Sequence, residues 1–510
     1  MTSTDSASTS YGFVIDNRRC IGCHACTVAC KSEHEDPIQV NKTWVSYIEK
    51  GVYPDTTRQF HVMRCNHCAD APCVEICPTA CLTTRDDGIV DFDPGRCIGC
   101  KACMQACPYD AITINPDSGT ATKCNYCAHR VEESREPACV VVCPAEAIVP
   151  GDLNDPGSKI AKIVASQDVS VRKPEKGTLP KLYYVDGDAA ALQPAASIRT
   201  RETLWGEKAP DIVDDTPVAE GQIRSAAAGA PRRAYDIAQR HAGSWGWKVS
   251  AYLFTKSIAA GAFLVPALAT LAGLHLAGTH LVGIVVALLA LAATGVLLVS
   301  DLKRPERFLW VLLRPQWKSW LVRGAYIIAG YSAILLIMLA LFLRGDGLGA
   351  TSATVLAIIG CVLAAGTASY SGWLFGQAKG RDLWQSPLVP LHLLVQAMVV
   401  GMALFLPMVD ATWYPQVFAV LLAVDLVFVV QDVWGRHQTA DASRAAKLMR
   451  SGNWGVLLIA GSLLAGHVVP MFLCFSQGTA PQVLAAILAG AGVAIYEHLW
   501  VAAPQRVALA

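Results

Sequence analysis

Between Cys20 and Cys143 the chain repeats one cysteine pattern four times, and that pattern fixes the chemistry of its first third before any element is assigned. The groups are Cys20-x2-Cys23-x2-Cys26-x3-Cys30, Cys65-x2-Cys68-x4-Cys73-x3-Cys77, Cys97-x2-Cys100-x2-Cys103-x3-Cys107 and Cys124-x2-Cys127-x11-Cys139-x3-Cys143. A disulfide framework would imply an oxidising compartment. The first ten residues are polar and lack the apolar segment of an export signal. Structural zinc uses paired C-x2-C knuckles, and has no use for a third cysteine at x2 and a fourth at x3 before proline. Three thiolates in one loop, with a fourth supplied by another group, form the ligand set of a cubane. The pattern therefore predicts four [4Fe-4S] clusters, an electron conductor with no need of a substrate pocket.

The spacing also predicts which cysteines share a cluster. The x3 step carries the last cysteine of each group into a helix that points away, and in two-cluster ferredoxins that cysteine ligates the other cluster. The expected sets are Cys20, Cys23 and Cys26 with Cys143; Cys124, Cys127 and Cys139 with Cys30; Cys65, Cys68 and Cys73 with Cys107; and Cys97, Cys100 and Cys103 with Cys77. Group three reads strand, cluster loop, helix, strand, which is half of a ferredoxin-like repeat. Aligning "CPTACL", "CPYDAI" and "CPAEAI" sets Cys81 opposite Ala111 and Ala147. Cys81 is expected to be a buried packing residue, as are Cys361 and Cys474 within apolar segments.

From Lys248 onward the chain is a different material. Charged residues make up only 16% of the whole, and the second half is a series of apolar runs near the ~20 residues that cross a bilayer as helix. Eight are expected, at 251–272, 279–300, 322–343, 352–376, 387–408, 413–431, 453–475 and 481–502. They lack the polar stripe of a soluble amphipathic helix. Lys303, Arg304, Arg307, Arg314, Lys318, Arg323, Lys379, Arg381, Arg436, Arg444, Lys447 and Arg450 fall in the even loops, against Arg344 alone on the other side. The positive-inside rule then predicts both termini, and the cluster domain, on the cytoplasmic face of the inner membrane. A net charge of +1 argues against a nucleic-acid surface.

The expected architecture is an α+β ferredoxin-like [4Fe-4S] domain over 1–186 and an all-α bundle of eight transmembrane helices over 248–510. A linker at 187–247 is expected between them. Its Ala-, Pro- and Gly-rich part, 187–230, reads as an extended strap, and 231–248 as a basic, tryptophan-bearing interfacial anchor. Ionisable residues inside spans are functional candidates by default. On the predicted cytoplasmic half these are Lys256, His392, Gln396, Asp425, Glu497 and His498, with the Tyr370 hydroxyl beside them. Lys256 has the alternative of snorkelling to the surface, and Glu497 and His498 of pairing with each other or with Arg506. His275, His280 and His467 fall on the expected outer half. No catalytic residue for a soluble substrate is expected on this chain.

In its first 186 residues, through "RRCIGCHACTVACKSEH" and all sixteen ligand positions, the chain resembles the four-cluster electron-transfer subunits of molybdopterin oxidoreductases. Residues 248–502 resemble polysulfide-reductase-type (NrfD-type) membrane subunits, through "YLFTKSIAAGAFL", "DLKRPERFLWVLLRPQWKSWLVRGAYI" and "GQAKGRDLW". The resemblance implies no haem, a site for menaquinone or ubiquinone at the membrane face nearest the clusters, and a separate catalytic chain with a molybdopterin (molybdenum or tungsten) centre. It implies a respiratory electron-transfer and quinone-reactive subunit. The alternatives are a cluster-driven proton-translocating module and a hydrogenase-linked quinone reductase subunit. Two departures are that many relatives face the periplasm, and that Lys31 replaces the usual proline after group one.

Overall fold

In the computed structural model of this 510-residue chain, residues 9–38, 40–193, 196–199, 230–236, 245–274, 276, 278–344 and 350–509 are described. They divide into two compact units: one holds the chain up to Ser244, the other Trp245–Gln377 and Arg381–Val507.

The first unit hangs on β1 (Tyr11–Asp16), which pairs antiparallel with β8 (Ile148–Asp152) and parallel with β10 (Leu182–Val185). Strand alternation divides its apolar run between two cores. Phe13 and Ile15 face the cysteine-rich side with Cys26 and Cys139. Val14 faces the other side with Val149, Ile160 and Val185. That second face is closed by the helix Lys159–Ser166, whose start is fixed by Ser158 Oγ accepting from Ala161 N at 3.1 Å, a standard N-cap. β9 (Val169–Ser170) completes the sheet. A long hairpin, β2 (Thr43–Val52) and β3 (Asp55–Arg64), flanks group one. Two short hairpins follow: β4 (Leu82–Thr84) with β5 (Val90–Phe92), and β6 (Ile112–Ile114) with β7 (Ala121–Lys123). Group three thus has its strand, loop, helix (Ala102–Ala106) and strand, as the ferredoxin-like reading expects.

The linker differs from the expectation. β12 (Arg232–Tyr235) pairs antiparallel with β2 and parallel with β11 (Ile198–Arg199). Arg233 is buried and forms a 2.6 Å ion pair with Asp236. The start of the supposed interfacial anchor is therefore a sheet strand. Its arginine found a carboxylate and a strand edge, which basic composition alone did not reveal. The short helix Ala189–Leu192 likewise packs Ala190 and Ala191 on Ile48. Most of the expected strap, 201–229, lies outside the described residues.

Among the described residues the second unit is built on eight long helices: α1 (Trp247–Leu271), α2 (Thr279–Asp301), α3 (Trp320–Arg344), α4 (Ala350–Gln377), α5 (Val389–Phe405), α6 (Trp413–Trp434), α7 (Gly452–Leu473) and α8 (Thr479–Arg506). Among the described residues, seven are long and apolar enough to cross a membrane. The eighth, α5, has 17 residues, about 25 Å of helix. It is enclosed by α1, α4, α6 and α8 and so presents little surface to lipid. α1 packs on α2, α4, α5 and α8. It crosses α5 where Gly261 and Gly401 stack backbone on backbone, the small-residue contact that membrane helices use in place of a hydrophobic drive. α7 is unusual: Leu457–Val468 is wound as a π-helix.

Candidate cluster sites and a buried polar relay

Each cysteine group lies in a loop wound by left-handed residues. Gly22 and His24 have φ of 70° and 61°, and Gly99 and Lys101 have 66° and 65°. Three residues after the last cysteine of groups two, three and four, Ala80, Asp110 and Glu146 repeat the left-handed turn at 49°, 59° and 46°. Gly22 is obligatory on a second ground, because a Cβ there would enter the Phe60 ring. Group one departs from this pattern at Lys31, which continues its helix. Its ammonium donates to the carbonyls of Pro37 (3.1 Å), Ile38 (2.8 Å) and Val40, tying down the loop a proline would otherwise have stiffened.

The loops bring the thiols together in four sets. Cys20, Cys23, Cys26 and Cys143 line one hollow of about 340 Å³, open mouth included. Cys77, Cys97, Cys100 and Cys103 line another of about 320 Å³. Cys30 lies beside Cys124, Cys127 and Cys139, and Cys73 beside Cys65, Cys68 and Cys107. Backbone N–H groups point at the sulfurs: Gly99 and Ala121 donate to Cys97 Sγ at 3.4 and 3.3 Å, and Ala147 to Cys143 Sγ at 3.3 Å. Burial pushes the Cys26 thiol up to about 11 and Cys100 to about 12, so these thiols favour their protonated form, and a cationic core bound there would have to displace those protons. Among the described residues no three His, Cys or carboxylate groups converge on a single metal ion. A cubane asks for something else, one thiolate per iron around a hollow, and the quartets fit it.

The sets also form a line. Cys26 neighbours Cys139, Cys124 neighbours Cys65, and Cys103 neighbours Cys73. Cys23 at one end is exposed, and Cys100 at the other is partly so. Cys81 is buried like Ala111 and Ala147, but it also lines the last hollow, and its thiol is within hydrogen-bonding reach of Cys77 and Cys97.

In the bundle, the polar candidates meet at one depth. Lys256 is nine residues from the start of α1, and Asp425 and Glu497 are nine from the ends of α6 and α8. At 1.5 Å per residue each lies about 14 Å along its helix. Lys256 does not snorkel: it is fully buried, with Nζ donating to Ala368 O (2.8 Å) and Ser371 Oγ (2.9 Å), 5.0 Å from the Tyr370 ring centre. Asp425 is held between two histidines, His392 Nε2 at 3.0 Å and His467 Nε2 at 2.9 Å. His467 Nδ1 bonds Ser462 O at 2.8 Å, which sets its tautomer. On the other side of His392, Nδ1 is 3.5 Å from Asp432 Oδ2, to which the Tyr496 hydroxyl donates at 2.6 Å. Glu497 is buried with Lys256, Asp425, His392 and Ser257 as polar neighbours, yet neither carboxylate oxygen, nor Ser257 Oγ, nor Gln396 Nε2 closes a hydrogen bond.

Two placements differ from the expectation. His498 is exposed, turned to Ser250 Oγ at 3.3 Å, and is not paired with Glu497. Successive helix positions point about 100° apart, so an inward Glu497 sends His498 outward. His467, expected on the outer half, reaches Asp425. The π winding takes more residues per turn, and so leaves His467 less far along α7 than α-helical spacing implies. Asp432 and Tyr496 were missed. Both lie on the buried face of their helices, and α-helical spacing from Asp425 (i+7) would have found the first. His275 lies outside the described residues.

Thiol quartets in left-handed loops, followed by a helix bundle with a carboxylate–histidine core, define the class: an iron–sulfur electron-transfer protein joined to a multi-pass membrane domain. Residues 236–508 match the family described as "Polysulphide reductase, NrfD", and the protein belongs to that family. Residues 56–153 match the "4Fe-4S dicluster domain". The first part is similar to the B component of tetrathionate reductase from Salmonella typhimurium, 41% identical over 201 residues, covering 39% of this chain and 80% of that protein. It is also similar to the B component of polysulfide reductase from Wolinella succinogenes, 40% identical over 188 residues, covering 36% and 97%. A third relative is the arsenate respiratory reductase iron-sulfur subunit ArrB of a Shewanella species, 33% identical over 224 residues, covering 34% and 95%. The chain is a fusion of an iron–sulfur subunit with an NrfD-type membrane part.

Proposed function

We propose that this chain carries electrons between a molybdopterin catalytic subunit and the membrane quinone pool, through four [4Fe-4S] clusters held by the crossed cysteine quartets. The clusters supply reversible one-electron transfer; substrate chemistry is assigned to the partner chain. Relatives named as components of tetrathionate and polysulfide reductases support this reading. The observation that carries it is the coexistence in one chain of a linear thiol array and a buried, incompletely bonded polar site in the bundle.

Quinone turnover moves two electrons with two protons, so the membrane site must hydrogen-bond a carbonyl and relay protons. Lys256 and Gln396 are the donors for that carbonyl. Glu497, with both oxygens unbonded, and the His392–Asp425–His467 series are the proton carriers. The buried position of all of them excludes bulk water from the exchange. The loop charges favour the cytoplasm for the cluster domain and its partner.

The test is the anaerobically purified complex. A molybdenum- or tungsten-containing chain should co-purify, and a menaquinol or ubiquinol analogue should exchange electrons with the clusters. A cytoplasm-dependent reporter should be active after Arg506, and an exterior-dependent one at Gly278 or Gly478. Clusters inert to every quinone would remove the proposal. The second reading, a cluster-driven proton-translocating module, gains from the continuity of His392, Asp425 and His467. Proton uptake by liposomes that follows membrane potential would favour it.

A further inference from the structure

Arg64 ends β3 and directly precedes Cys65, yet its side chain turns into the thiols of the other groups. It is fully buried. Nη1 donates to Cys139 Sγ at 3.1 Å, and its strongest electrostatic neighbours are the thiols of Cys139, Cys124 and Cys26. These belong to two different quartets, so the guanidinium lies where the first two sets of the line adjoin. Phe13 covers it, with the ring centre 4.5 Å from Cζ. Nε and Nη2 have no hydrogen-bond partner among the described residues. Another fully buried cation of this unit is settled differently: the Lys123 ammonium donates to the carbonyls of Val90 and Cys124.

A buried guanidinium with unused donors is costly unless anions and acceptors surround it. Thiolates supply the anions, and the sulfurs of a metal core would supply the acceptors. Fixed charge and hydrogen bonds to sulfur are two of the levers that set a cluster's potential. When one electron enters a cluster, the site gains one negative charge; no bond forms or breaks, and no proton need move. A permanent cation in a low-dielectric setting favours that reduced state, and arginine keeps its charge at any working pH.

We propose that Arg64 is a positioning and tuning residue of the cluster array: its unbonded Nε and Nη2 donate to the cluster held by Cys30, Cys124, Cys127 and Cys139, and its charge makes that cluster easier to reduce. This rests on the reading that the quartets hold cubanes.

The test is an EPR-monitored dithionite titration of the full chain, with iron content measured in parallel. Arg64→Met with wild-type iron should make one cluster at least about tenfold harder to reduce, a fall of about 59 mV for one electron. The cluster assigned to Cys77, Cys97, Cys100 and Cys103 should be unchanged. Arg64→Lys, which keeps the charge and loses the planar fork, should shift less. Unchanged potentials in the Met variant would overturn the proposal. Should that variant lose iron, the wild-type chain decides. Grown with guanidino-15N arginine and reduced, it should show a nitrogen hyperfine coupling from the guanidinium to a cluster. Cluster signals without that coupling overturn the role of Arg64 alone; a wild-type chain with no cluster signals overturns the cluster reading and this proposal with it.

Discussion

The two units bury charge by opposite means. In the first, thiols come from short loops of fixed spacing, and long-range folding brings the fourth thiol of each set from another group. In the bundle, the polar centre is assembled from α1, α4, α5, α6, α7 and α8, each contributing one or two side chains. Local spacing therefore carries most of the first site, whereas the second depends on which helix faces meet. The bundle site should consequently be the more fragile in function and the less visible to any pattern.

The most damaging test of the contrast removes single thiols. Cys23→Ser and Cys143→Ser should abolish the same cluster signal although they lie 120 residues apart in sequence, while Cys30→Ser and Cys139→Ser should share the loss of a different one. Each variant should lose one cluster's share of iron. Cys81→Ala should lose none. Should Cys143→Ser and Cys139→Ser remove the same signal, ligation would be local rather than crossed.

The bundle counterpart is Asp425→Asn, which keeps shape and removes the proposed proton carrier. Quinone turnover should slow by at least ~10-fold, the lower range for a lost acid–base group, while dithionite still reduces the clusters normally. His467→Gln should fall in the same direction, because it breaks the same carboxylate contact. Normal turnover in both variants, together with Lys256→Ala, would place the quinone elsewhere in the bundle.

How much was legible follows from this contrast. The cysteine loops and the long apolar helices were readable because x2 and x3 spacings and ~20-residue apolar runs are local properties. Lys256, His392 and Asp425 were singled out because charge within a span is costly, whereas the contacts each one makes depend on helix faces that no spacing fixes. The place of His467 depends on the π winding of Leu457–Val468, which no propensity signals. β12 was misread because a four-residue strand takes its meaning from the edge of β2, far earlier in the chain. Arg64 was invisible beside Cys65, since nothing local says that its side chain serves the other groups.

Close helix crossings give a graded test of the bundle alone. Gly466 and Gly492 bring α7 and α8 into backbone contact, and a methyl at either would strike the other's Cα. Gly466→Ala should cost about 1–3 kcal/mol, as overpacking does. It should also loosen His467, one residue on, from Asp425. Detergent-solubilised protein should show a lower unfolding temperature by tryptophan fluorescence with unchanged cluster absorbance. Loss of the clusters instead would mean that the units do not separate the damage as this contrast requires.

The smallest effect sets buried histidines of the two units against each other. His392 and His467 each face a carboxylate. His61 in β3 is fully buried with neither ring nitrogen bonded, and burial depresses it to about 4, with Arg233, Arg172 and Lys50 adding to the depression and Asp188 opposing it. A base whose folded pKa lies below its unfolded value of 6.5 stabilises nothing by charging. The unfolded chain takes up the proton first, so stability present above pH 6.5 is lost as the pH falls toward 4. Between about pH 7.5 and about pH 5.5 that loss is about 1 kcal/mol. His61→Leu removes the titrating group, so its urea midpoint, followed by cluster absorbance, should fall less over this interval than that of the wild type. Parallel pH profiles for the two proteins would mean that His61 is solvated, and that the first unit, like the bundle, supplies its buried histidines with partners.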